Sequence, residues 1–162
     1  MIDHKNHFSR YCDLMALAAS SAPARQQDGG YMAALYILSA DRELHSLARS
    51  QISADGISFS KLHKSILRAE LSNSQITAAK VAHSLFNNGS RSITPLDLSQ
   101  CDYATLDILT NALYIWKCGR TLTGGDGGEI RFDTATERRS RCIEGEMAAF
   151  FASAQEADEN IS

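Results

Sequence analysis

The side chains that could do chemistry are spread thinly along this chain, and their spacing argues against most of the chemistry they would carry. His4 and His7, one helical turn apart with Cys12 a further turn along, are the one close group among the five histidines. A metal site needs three or four converging ligands. An exposed N-terminal helical turn accounts for these residues equally well, so no metal is expected. Cys12, Cys101, Cys118 and Cys142 are widely separated, with neither the C-x-x-C spacing of a zinc ribbon nor the density of a disulfide framework. They read as reduced and structural, with Cys12 on the apolar stripe of its helix. No glycine-flanked elbow singles out a nucleophile, and the carboxylates are scattered without pairing, so no catalytic residue is expected. The run Gly124-Gly-Asp-Gly-Gly128 resembles a phosphate loop by composition alone. It lacks the G-K-S/T ending and the G-x-G-x-x-G pattern, so no nucleotide or other cofactor is expected.

The stretch Ile57 to Gly89 carries more information. Two successive helical patterns there have opposed apolar and polar faces. From Ile57 to Arg91 the charged groups are Lys61, Lys64, Arg68, Lys80 and Arg91 against Glu70 alone. Phe59, Leu62, Ile66 and Ala69 form one side of the first helix, and Lys61, Lys64 and Arg68 lie in one narrow arc on the other. In the second helix Ala78, Val81, Ala82, Leu85 and Phe86 make the apolar stripe, while Lys80, His83 and Asn87 fall opposite. Two short helices joined by a tight polar break can form a helix-turn-helix, with Lys80, His83 and Asn87 turned to phosphate or base edges. A solvated face is the plainer reading of the same pattern. Lys61, Lys64, Arg68, Lys80, His83 and Asn87 are thus the candidate partner or nucleic-acid surface.

These helices need a body to hold them, and 162 residues with 44% hydrophobic content suffice for one domain with a sizeable core. Charged residues at 22% and a net charge of −3 point neither to nucleic acid nor to an anionic membrane as a bulk property. The start has no apolar signal region, and no run approaches the roughly 18 apolar residues of a spanning helix. A cytoplasmic protein with no membrane partner is expected.

From Asp3, Phe8, Cys12, Met15 and Ala19 recur as the stripe of an amphipathic helix ending near Ser20. Ser21 to Gly30 has the composition of a surface loop. The nearly continuous apolarity of Tyr31 to Leu38 predicts a centrally buried helix. Ser39 or Asp41 can cap a further one bearing Leu44, Leu47 and Ala48. Ser58 or Ser60 starts the first helix of the basic pair, the polar break at Ser72 to Ser74 the second, and Asn88-Gly89 suits its C-cap. Thr94-Pro-Leu-Asp97 signals a short helix. A stronger one from Asp102 carries Leu106, Leu109, Leu113 and Trp116 on one face. Beyond Gly119, short alternating segments around the glycine run predict a hairpin or a linker. A last helical pattern ends in the apolar cluster Met147, Phe150 and Phe151 and an acidic tail.

The order Tyr31-x-x-x-Leu35-Tyr36-x-Leu38, then Ile57 and Leu62, then Ser74 leading to Ala82-His-Ser-Leu-Phe-Asn-Asn-Gly89, resembles a small helical family of unknown function from phages and mobile elements of Gram-positive bacteria. The likeness spans Phe8 to Lys117. Ser39 stands where that family has glycine, Phe86 replaces its tryptophan, and Asn88 is inserted before Gly89. The resemblance implies a helical fold and an accessory role, such as interaction with a host or defence component. It implies no catalytic residues.

The sequence therefore predicts an all-α bundle of five to seven short helices. Residues 1–119 form the helical core domain, and 120–162 a hairpin or linker plus a helix packed on it. The expected function is a non-enzymatic protein-binding or regulatory protein, with nucleic-acid binding through helices 58–88 as the alternative. Met147, Phe150 and Phe151 are the expected contact of a homodimer or a protein partner if they do not pack on their own core.

Overall fold

A helix without a polar face has to be surrounded, and that requirement organises this fold. The computed structural model describes residues 4–21, 28–53, 55–87, 93–118, 121–124 and 130–133. They form α1 (His4–Ser21), α2 (Gly29–Ala40), α3 (Arg42–Arg49), β1 (Ile52–Ser53), β2 (Gly56–Ile57), α4 (Phe59–Arg68), α5 (Asn73–Phe86), α6 (Pro95–Ser99), α7 (Tyr103–Cys118), β3 (Thr121–Gly124) and β4 (Ile130–Asp133). The class is all-α, as the periodicity predicts. α2 is the central rod: every residue from Ala33 to Ala40 is buried, and α1, α5 and α7 pack around it.

The start of α2 has the least room in the molecule. A Cβ on Gly29 would lie 2.7 Å from the carbonyl oxygen of Trp116, and one on Gly30 the same distance from that of Leu85. These oxygens belong to the last turns of α7 and α5, so the α2 N-terminus is wedged between two helix C-termini and only glycine fits. The glycine pair, expected as part of a loop, instead begins the buried helix. Asp28 caps it, accepting from the N–H of Gly30 at 2.9 Å and of Tyr31 at 3.4 Å. At the other end, Asp41 is beside Gln75 in the first turn of α5. α5 therefore runs antiparallel to α2, an arrangement that sets opposite dipole ends together.

α1 also packs on α2. His7 Nε2 donates to the carbonyl of Tyr36 at 2.9 Å, and Arg10 donates from Nε to Ser39 O at 2.6 Å and from Nη2 to Ala40 O at 2.9 Å. A guanidinium thus satisfies the last carbonyls of the buried helix, where their partial negative charge favours a cation.

In two helices the buried stripe is not the expected one. α1 buries His7, Tyr11, Leu14 and Ala18, whereas Cys12 is exposed and Phe8 and Met15 are only partly covered. α7 buries Thr105, Ile108, Leu109, Ala112 and Ile115, leaving Leu113 and Trp116 49% and 40% exposed. Both are offset by one residue from the stripe that the sequence predicts. α1 turns Tyr11 and Leu14 inward together with His7, which donates to Tyr36 O, and in α7 Thr105 and Ala112 sit among Ile108, Leu109 and Ile115 on the buried face.

α6 and α5 begin at capping residues where the sequence predicts helix starts. In α6 the Thr94 side chain accepts from Asp97 N and the Asp97 carboxylate from Thr94 N, a capping box with Pro95 in the first turn. Ser72 and Gln75 form the same reciprocal pair on α5. β1 and β2 make a minimal ladder turning at Gly56, whose φ of 109° suits glycine. β3 and β4 form the predicted hairpin, pairing Leu122 with Phe132 and Thr123 with Arg131. Leu122 and Ile130 pack on the main core. Asn88-Gly89 and the cluster Met147, Phe150 and Phe151 lie outside the described residues. Among those described, no helix is long and apolar enough to cross a membrane.

Candidate functional site

α4 and α5 are joined by the break from Ala69 to Ser72, and between them runs a cleft of about 320 Å³. Phe59, Leu62, His63 and Ile66 form one wall and Ile76, Ala79, Lys80 and His83 the other. Both sets are spaced i, i+3, i+4, i+7, so each wall is one helical face about 10 Å long. Leu62, Ile66 and Phe59 are buried and supply an apolar base, and Ala79, the smallest lining residue, leaves the space open. At one end the imidazole of His83 lies flat on Phe59, with centroids 4.5 Å apart and planes 8° from parallel. Phe59 in turn contacts Phe86, and Phe86 contacts Tyr31 of α2, tying the cleft end to the core.

The six residues expected to form one surface are divided by this geometry. Lys61, Lys64 and Arg68 are exposed together, on the side of α4 turned away from Phe59, Leu62 and Ile66. Lys80 lines the cleft, but its Nζ donates to Asp97 Oδ1 at 2.9 Å, linking α5 to α6. Hydrogen bonds from Thr94, then Lys80, hold the Asp97 carboxyl well below the usual carboxylate range. The lysine charge therefore meets a fixed anion. His83 is engaged with Phe59, and Asn87 is the exposed C-cap of α5, its N–H donating to His83 O at 3.1 Å. In a helix-turn-helix the first turn of the second helix approaches the bases. Here that turn is docked on acid: Gln75 Nε2 donates to Asp41 Oδ1 and Glu43 Oε2, each at 2.9 Å.

A second polar cluster lies where α3, α5 and α7 begin, around a water-sized cavity of about 30 Å³ lined by Asp41, Ser72, Ser74, Gln75, Asp102 and Thr105 among others. Asp41 accepts from Glu43 N at 2.8 Å and Leu44 N at 3.1 Å. Asp102 accepts from Thr105 N at 2.7 Å, and its own N–H donates to Ser74 Oγ at 3.1 Å. Burial works against ionisation of Asp41, yet its hydrogen bonds, including those from Gln75 and Leu44, hold its carboxyl below the usual range. The backbone and side chain of Thr105 do the same for Asp102. These carboxylates neutralise helix N-termini and are fully occupied in doing so.

Sequence reasoning missed the residues that join α1 to the rest. Asp13 Oδ2 lies 2.9 Å from both His45 Nε2 and Arg49 Nε, bridging α1 to α3. The Arg49 hydrogen bond chiefly holds Asp13 below the usual range. The signal was the spacing of His7, Tyr11, Leu14 and Ala18, disguised by a histidine in a core position. The thiols of Cys12 and Cys101 are both pushed up by burial, and Cys101 donates weakly to Asp97 O at 3.7 Å. Neither is an activated nucleophile. Among the described residues no three histidine, cysteine or acidic side chains converge as metal ligands. Comparison with protein-family models, curated proteins and solved structures finds no match to this chain.

Proposed function

We propose that this is a non-enzymatic protein-binding or regulatory protein that works through the α4–α5 cleft. The observation that carries the reading is the cleft itself, two helical faces spaced i, i+3, i+4, i+7 over an apolar base, the shape that receives side chains from a partner helix. The state of the ionisable groups supports it. Asp13, Asp41, Asp97 and Asp102 are engaged in caps and ion pairs, and the two described thiols are shifted away from reactivity. An accessory role against a host or defence component rests on the resemblance of Tyr31–Leu38 and Ala82–Gly89 alone.

The test is affinity capture from the native lysate by the wild-type chain and by Ala79→Trp, which fills the cleft, with circular dichroism to check folding. Loss of a captured protein in the folded variant is expected. Capture that ignores the substitution would remove the cleft as the working surface.

The exposed arc of Lys61, Lys64 and Arg68 favours a second reading, nucleic-acid binding, since unmasked cations can contact phosphates. A gel shift at low salt decides it. Retardation relieved by reversing these three charges supports the second reading, and no retardation of duplex or single strand ends it.

A further inference from the structure

The outward face of α7 gathers several exposed large apolar side chains that the cleft does not use. Tyr103 is 88% exposed, Tyr114 50%, Leu113 49% and Trp116 40%. Thr110, Leu113, Tyr114, Trp116 and Lys117 line a shallow groove of about 360 Å³ along it. At 100° per residue, Tyr103, Asp107, Thr110, Tyr114 and Lys117 share one stripe pointing directly away from α2. Asp107 and Lys117 are exposed, and neither has an ion-pair partner among the described residues.

We propose that this stripe is the interface of a two-fold homodimer in which α7 packs antiparallel on α7 of a second copy. The occupant is argued from charge. Asp107 and Lys117 lie ten residues apart, about 15 Å along the axis. A two-fold axis crossing the helix at the height of Ala112 sets Asp107 of each copy opposite Lys117 of the other. The same operation sets Thr110 opposite Tyr114 in the centre, as a self-complementary interface requires. One anion toward the N-terminal end and one cation at the C-terminal end suit the dipole of the single helix, and antiparallel pairing turns that asymmetry into two intersubunit ion pairs. Thr110 and Tyr114 at the centre with charges outside them match the usual anatomy of an interface. One helix face covers less than the roughly 800 Å² per partner of a standard interface, so association is weak and concentration-dependent.

The experiment is sedimentation velocity on the full chain from low to high micromolar concentration, in low and high salt, paralleled by tryptophan emission. Trp116 is the chain's only tryptophan and lines the groove beside the stripe with Leu113 and Lys117, so its emission reports whether that groove is covered. Expected are a monomer–dimer equilibrium weakened by salt and an emission blue shift that follows it. Asp107→Lys and Lys117→Asp should each weaken the dimer at least tenfold, and the double reversal should restore it. Both positions are exposed, so the variants should fold, which circular dichroism checks. A strict monomer throughout, including one whose tryptophan emission is already blue-shifted at every concentration because the chain's own residues cover the face, would overturn the proposal. So would a dimer that either single reversal leaves intact, or one that the double reversal fails to rescue.

Discussion

α2 and α7 are both rich in leucine, isoleucine and tyrosine, yet one is enclosed on all sides and the other on one. In α2 the question of orientation does not arise, because each direction meets another helix and even Ser39 is buried, its hydroxyl donating to Tyr36 O at 3.0 Å. In α7 two apolar stripes compete. The one with Thr105, Ile108, Leu109, Ala112 and Ile115 faces α2, and the one with Tyr103, Leu113 and Tyr114 faces outward. Apolar content therefore decides whether a helix is central, while the face that a half-apolar helix turns inward is decided by the packing as a whole.

The comparison is broken or sharpened first by truncation at the rod. Leu35→Ala should cost about 3 to 4 kcal/mol, because Leu35 is fully buried and its neighbours cannot all collapse onto the space. Urea denaturation measures this, and a loss under 1 kcal/mol would mean that α2 is not the centre. Gly30→Ala should cost about 2 kcal/mol, a methyl group being forced against the Leu85 carbonyl, and a neutral result would refute the wedged start of α2.

Acid probes the polar end of the rod. Asp13, Asp41, Asp97 and Asp102 all have carboxyls held below their ordinary range. A depressed folded-state pKa contributes stability that is present above the unfolded value of about 4 and is lost as pH falls through the folded values. Stability should therefore fall progressively below about pH 4. A melting temperature that holds or rises there would show that these caps and bridges contribute nothing. The smallest effect belongs to the outer face of α7: Leu113→Ser, measured at concentrations where the chain is monomeric, should change stability by no more than about 0.5 kcal/mol. A loss comparable to that of Leu35→Ala would place Leu113 in the core and reverse the comparison.

Several features were legible because they are local. Thr94-Pro-Leu-Asp97 and Ser72-x-x-Gln75 specify helix starts through bonds within four residues, and both capping boxes are formed. The alternation around the glycine run left a hairpin or a linker open, and β3 and β4 form the hairpin. The candidate surface was legible in half. Lys61, Lys64 and Arg68 share an exposed arc because one helix's period sets it. Lys80 meeting Asp97, and His83 meeting Phe59, join groups 17 and 24 positions apart, and no spacing rule reaches them.

By itself the sequence determined the helical class, the burial of the Tyr31 to Leu38 segment and the starts of α5 and α6, since propensity, period and capping act over one or two turns. Tertiary structure alone decided the rest. Arg10 and His7 serve the end of a helix some thirty residues away, and a glycine pair that looks like a loop lets three helix ends meet. The outward turn of Trp116 and the open cleft beside Ala79 were decided there too. These are matters of which surfaces approach closely enough to exclude a methyl group, and that distance is set by all the packed helices together.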